Sequence, residues 1–310
     1  MNNIYKFLIT RDYIKDRNKL ILEYKTNLNS KRIRIFGSDF VKNNKNKCDL
    51  IIGQEIKEFI EEYEIKDDKL NNNKNLKNKN IILRIMLVEK DFDEEEEKVN
   101  DMSHLFNGCN KLILISENSK WNTSHIKNMK MMFNDCSSLE KIPEIEWKTS
   151  GVTDMSNMFN NCSSLKYLPN LENWDTKNVN NMKNLFNNCS SLKEIKGISN
   201  WEIENVKDIS GMFKDCQLLE NLSDISKWKM KNVSDISMMF YGCKHLKSIP
   251  NLNKWMYNNN NLTDMNSLFK GCETLVEIKG LQEWTTKKVK NMREIFSGCL
   301  SLNKLDKKFE

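Results

Sequence analysis

Eight cysteines fall at near-constant spacing through the last two thirds of the chain. They are Cys109, Cys136, Cys162, Cys189, Cys216, Cys243, Cys272 and Cys299, separated by 27, 26, 27, 27, 27, 29 and 27 residues. Each follows a phenylalanine by three positions, from Phe106 and Phe133 through to Phe269 and Phe296. A fixed period of this size marks an array of stacked units that bury one continuous core between neighbours.

Within a unit the apolar positions keep one phase. In the copy that starts at Val206 they are Val206, Ile209, Met212, Phe213, Cys216, Leu219, Leu222, Ile225 and Trp228. The first half steps as one face of a two-turn helix. Its start is marked by Asp or Asn two residues after the leading aliphatic (Asp101, Asn128, Asp154, Asn181, Asp208, Asp235, Asp264, Asn291), the residue types that cap first-turn amides. Its end is marked by Gly, Asn or Asp just before each cysteine, types that tolerate the left-handed conformation. The second half steps by threes and suits a short strand and a turn. All length changes fall around the Trp, between Ile145 and Trp147 and in the asparagine run 258–261, so loops lie there. Pro143, Pro169 and Pro250 share a phase at which each strand should stop. The expected fold class is therefore an α/β repeat solenoid, leucine-rich-repeat-like, with a parallel sheet and short helices, preceded by a β-rich N-terminal cap.

Two regions follow: residues 1–98 as the cap with an acidic joint, and 99–310 as eight repeats of about 27 residues. Strand candidates in the cap are Leu20–Tyr24, Ile33–Phe36, Asp49–Ile52 and Ile81–Val88. Asn71–Asn80 reads as a low-complexity loop and Asp91–Glu97 as a solvated acidic joint.

The segment NVNNMKNLFNNCSSLKEIKGISNWEIENV resembles the BspA-type leucine-rich repeat, in its Met-Phe-x-x-Cys-x-x-Leu variety, over residues 99–305. That variety is widespread in mycoplasma lipoproteins and in proteins of protists and gut bacteria. The resemblance implies a curved solenoid without catalytic residues, used for adhesion or protein binding. The segment RIRIFGSDFVKNNKNKCDLII resembles a module that precedes such repeats in protist proteins.

With 49 Lys and Arg against 43 Asp and Glu, the net charge of +6 is too mild for a general nucleic-acid binder. No stretch has the eighteen or so apolar residues a membrane span needs, and the start of the chain shows neither a signal-peptide core nor a lipobox. An odd number of cysteines, nine, fits free thiols in a reducing compartment, so a cytoplasmic location is expected. Surface export stays open, and a BspA-type exported adhesin is the alternative reading.

The chain is expected to bind no cofactor and no metal. The repeat cysteines lack the close pairs of zinc sites and read as buried small hydrophobes. The Asp/Asn ladder reads as caps, not calcium ligands, and the column Trp121, Trp147, Trp174, Trp201, Trp228, Trp255 and Trp284 as core. His104, His125 and His245 lie in unrelated phases, and no phosphate loop, zincin motif or nucleophile elbow occurs, so no enzyme is expected.

What is left is a protein-binding scaffold. Its candidate contacts are the variable positions after each repeat leucine: Glu140 and Lys141, Lys166 and Tyr167, Lys193 and Glu194, Glu220 and Asn221, Lys247 and Ser248. Their mixed charge favours a protein partner. Leu302 and Leu305, near a thin terminal cap, mark a frayed unit or a self-association site through the C-terminal repeat.

Overall fold

In a computed structural model of the chain, the described residues are 13–27, 30–65, 80–94, 97–255, 259 and 261–303. Expectations placed on the start of the chain, on 71–79, on Glu95 and Glu96, on most of the insertion after Trp255 and on Leu305 lie outside them.

The N-terminal region is a twisted sheet on which apolar and polar residues alternate. Strand β1 (Lys19–Asn27) turns Leu20, Leu22, Tyr24 and Thr26 inward, as the two-residue period of a strand demands. It is followed by β2 (Arg32–Arg34), α1 (Ser38–Asn44), β3 (Cys48–Ile52), β4 (Glu55–Lys57), β5 (Glu62–Glu64) and β6 (Asn80–Glu89). The four strand candidates of this region coincide with β1, β2, β3 and β6. Strand β7 (Leu112–Ile115) belongs to the first repeat, yet it pairs with β1 and closes the sheet order β4-β3-β6-β1-β7. Every pairing in this five-stranded sheet is antiparallel. The first repeat is thus stitched into the N-terminal sheet.

The junction is tight at Gly37. Its amide donates to Leu105 O at 3.0 Å, and a Cβ at this position would stand 1.9 Å from the backbone oxygen of His104. Backbone cannot swing aside as a flexible side chain would. Gly37→Ala is expected to cost about 3 kcal/mol in chemical denaturation, the upper range of overpacking. A loss below about 0.5 kcal/mol would show that the junction does not hold the two regions together.

The expected α/β leucine-rich solenoid is overturned. The one extended sheet is antiparallel, and among the described residues α-helix occurs only in the N-terminal region, at α1 and at Tyr13 and Ile14. Parallel strand pairing is confined to two pairs of two-residue strands: β8 (Glu194–Ile195) with β9 (Asn221–Leu222), and β10 (Ser248–Ile249) with β11 (Glu277–Ile278).

The physical reason lies in the backbone of the expected helix. Two recurring positions in every unit take positive φ. One is the residue before each cysteine, as the Gly/Asn/Asp pattern indicated, with φ of 55–78°. The other is the third residue after each Asp or Asn, at φ 53–60°: His104, Met131, Asn157, Asn184, Gly211, Met238, Ser267 and Glu294. A left-handed residue at that point ends any right-handed helix.

Amides are instead used alternately. Met155, Asn157, Phe159 and Asn161 donate to Asn181, Lys183, Leu185 and Asn187 of the next unit at 2.8–3.0 Å. Met158, Asn160, Cys162 and Leu165 between them donate three residues back, at 3.0–3.3 Å. Each unit is a string of tight turns tied to its neighbour, with isolated parallel bridges running from Asp101 through Asn128, Asp154, Asn181, Asp208, Asp235 and Asp264 to Asn291.

The core runs along the units as columns. The phenylalanines stack from Phe106 to Phe296 with centroids 5.4–5.9 Å apart, and Phe36 of the N-terminal region stands at the head of the column, 5.8 Å from Phe106. A second column runs from Trp174 to Trp284 at 6.2–6.4 Å. The Trp column is core, as expected: its seven members are all buried.

Candidate functional site

The ladder side chains have structural duties. Asp101, Asn128, Asp154, Asn181, Asp208, Asp235, Asp264 and Asn291 each accept from the amide two residues ahead, at 2.7–3.4 Å. The capping chemistry inferred for them is present, but it closes turns and not helices. From Cys136 onward each repeat thiol donates to the carbonyl oxygen of the phenylalanine one unit earlier, at 3.0–3.2 Å. Cys accordingly fills the interior volume of a small hydrophobe and gives a second donor to a carbonyl that already accepts the amide three residues on, as Phe159 O does from Cys162 N at 3.2 Å.

Burial pushes these thiols well above their ordinary range, Cys216 to about 12 and the less covered Cys299 to about 11. They stay protonated and are poor nucleophiles at neutral pH. Among the described residues no group of three or more His, Cys, Asp or Glu is placed to hold a metal. His125 Nε2 lies 2.8 Å from Val99 O, and His245 Nδ1 2.9 Å from Gln217 O.

The candidate contacts form an exposed strip beside this core. Glu140 and Lys141 sit at the upstream end. There Glu140 O accepts from the amides of Lys166 and Tyr167, and Lys141 is bridged in parallel to Tyr167. Six of the ten residues converge: Lys166, Tyr167, Lys193, Glu194, Glu220 and Asn221 line one groove of 410 Å³ together with Ser191. Lys247 and Ser248 lie further along and are not part of it.

Units pair at Lys141 with Tyr167, at β8 with β9 and at β10 with β11; among the described residues no such pairing joins Tyr167 to Glu194 or β9 to β10, so the strip has two gaps and the groove spans the first. Tyr167 stands at this gap with 67% of its surface exposed. Lys166 is paired with Glu140 at 2.9 Å, and Glu194 with Lys196 at 2.8 Å. Lys193 and Glu220 have no ion-pair partner among the described residues. Val276, 44% exposed in the same phase as Lys247, extends the strip. Leu302 is partly buried against the core.

Among the described residues no helix is long and apolar enough to cross a membrane.

A family model described as "Mycoplasma protein of unknown function, DUF285" matches residues 86–168, 165–277 and 248–310. The chain belongs to the DUF285 family. The matched stretches cover the repeats and only the end of β6 before them, so DUF285 membership rests on the array itself. It agrees with the expected kinship to repeat proteins of mycoplasmas, without singling out the Met-Phe-x-x-Cys-x-x-Leu variety. No curated protein matches this DUF285 chain. A solved leucine-rich repeat protein from Bacteroides ovatus ATCC 8483 is 23% identical over 64% of this chain and 61% of its own, with a TM-score of 0.29. The match therefore spans less than two thirds of that protein, and a TM-score that low carries no argument about this fold.

Proposed function

We propose that this repeat protein is a non-enzymatic scaffold that binds protein partners through the strip centred on Tyr167. The observation that carries the reading is the exposed tyrosine over a groove with unpaired Lys193 and Glu220 on its walls. Tyrosine contributes a large contact area at little entropic cost and is enriched among residues that dominate binding energy. One free charge of each sign gives a partner orientation as well as contact. The protonated thiols and the histidines engaged with backbone carbonyls support a non-catalytic role. The column of buried thiol donors supports action in a reducing compartment of the cell, because oxidation would remove those hydrogen bonds.

The test is affinity capture from the native cell with tagged wild type, Tyr167→Ala and the pair Lys193→Glu with Glu220→Lys. A protein recovered with wild type is expected to fall at least about tenfold with Tyr167→Ala, the loss typical of a hot-spot residue. Recovery that is the same for all three proteins would sink the strip as the binding face.

A further inference from the structure

A second concavity, sharing no residue with the strip, lies on the tryptophan side of the units. Its wall is the stretch Lys227-Trp228-Lys229-Met230-Lys231, where exposure alternates strictly: Trp228 and Met230 are buried in the core and the three lysines face out. That is the two-residue period of an extended chain, so Lys227 and Lys231 span about 13 Å along the wall. Lys254 of the next unit adds a fourth cation, and the space between is a trough of 720 Å³. Two carboxylates share the lining, Glu204 and Glu283. Glu204 is engaged by Lys229 at 2.5 Å. Lys227, Lys231 and Lys254 form no close ion pair among the described residues, although Lys231 lies near enough to Glu204, and Lys227 to Asp224, to help hold those carboxyls below their usual range.

We propose that this trough docks an extended acidic polypeptide segment. With Lys229 held by Glu204, the outward Lys227 and Lys231 match an extended strand that turns acidic side chains to the same face along its length. The buried Trp228 and Met230 hold the lysine backbone rigid, so little order has to be created on binding. The lining carboxylates repel a uniform polyanion such as nucleic acid, while a peptide can set neutral residues against Glu204 and Glu283. The trough length suits about four or five residues of extended chain. This surface is independent of the strip, and the two can fail separately.

The test uses a fluorescein-labelled peptide Glu-Ser-Glu-Ser-Glu-Ser-Glu and the full chain, read by fluorescence anisotropy at two salt concentrations. Saturable binding is expected. It should weaken with salt and fall at least about tenfold with Lys227→Glu, Lys231→Glu and Lys254→Glu combined. It should be unmoved by the strip pair Lys193→Glu with Glu220→Lys. The replaced lysines are exposed, and an unchanged thermal melt confirms the variant is folded. A block isomer, Glu-Glu-Glu-Glu-Ser-Ser-Ser, should bind more weakly because its charges miss the period. Absence of binding, affinity indifferent to the three substitutions, or tighter binding of a single-stranded oligonucleotide would each overturn the proposal.

Discussion

Above pH 9 the protein should lose stability steeply and unfold near pH 10. Eight cysteines are fully or almost fully buried, namely Cys48 and the repeat cysteines from Cys109 to Cys272. Their thiols have an ordinary pKa of 9.0 when exposed, and burial raises it in the fold, foremost by removing the thiolate from water. A folded pKa above the unfolded one means that the native state holds its protons longer. The stabilisation is fully present below pH 9 and is lost as pH rises through the window toward the folded values. At pH 10 each thiol costs on the order of 1 kcal/mol, and the eight together on the order of 10 kcal/mol. That equals the whole stability of an ordinary domain. The measurement is urea denaturation at pH 7, 8, 9 and 10, with circular dichroism as the probe. Cys189→Ala should be weaker at pH 7, through loss of its bond to Phe159 O at 3.2 Å, yet should flatten the pH slope by one thiol. A stability that stays level from pH 8 to 10 would mean the thiols are solvated.

Phe186→Ala should cost about 3–5 kcal/mol, the range for removing a buried aromatic ring. Phe186 has no exposed surface and lies between Phe159 at 5.5 Å and Phe213 at 5.9 Å, nearly parallel to both. Deletion opens a cavity that neighbouring units cannot close, because each is held to the next by its own row of backbone bonds. Phe296, stacked on Phe269 at 5.8 Å but only partly buried, should cost roughly half as much. Chemical denaturation of the two alanine variants separates the cases. Equal losses would show that stacking along the column does not set the energy, and a loss under about 1 kcal/mol at Phe186 would show that the column is not the core.

The sequence reading and the fold part company at one backbone position. The left-handed residue before each cysteine was readable, since Gly, Asn and Asp are the types that accept it. The second, three residues after each Asp or Asn, is occupied by His, Met, Asn, Asn, Gly, Met, Ser and Glu, a set with no common signal. At Met131 and Met238 the conformation costs about 1–2 kcal/mol locally and is held by the bond each amide makes to the next unit, to Ser156 O at 2.9 Å and Asn266 O at 2.8 Å. A local pattern cannot report a conformation whose compensation lies in the neighbouring unit. The helical spacing of Val, Met, Phe and Cys was therefore read as a helix, although a chain of tight turns buries the same residues.

The candidate site was partly legible for the same reason. Positions Cys+4 and Cys+5 vary freely between the apolar residues at Cys+3 and Cys+6, and that marked Lys166, Tyr167, Lys193, Glu194, Glu220 and Asn221 as exposed. Their convergence on one groove was not legible, because it depends on how three successive units stack. The lysine alternation around Trp228 was visible in the letters. Its meaning depended on Lys254, 23 residues further along, reaching the same space.

The letters alone determined the period, the buried columns of Phe, Cys and Trp, and the strands of the N-terminal region, because side-chain hydrophobicity and turn preference act locally and recur in phase. Tertiary structure alone decided the course of the backbone inside each unit, the union of the first repeat with the antiparallel sheet, and which exposed side chains share a groove. Those outcomes rest on hydrogen bonds from one unit to the next and on packing across the junction at Gly37, where the energy belongs to pairs of segments and to neither one by itself.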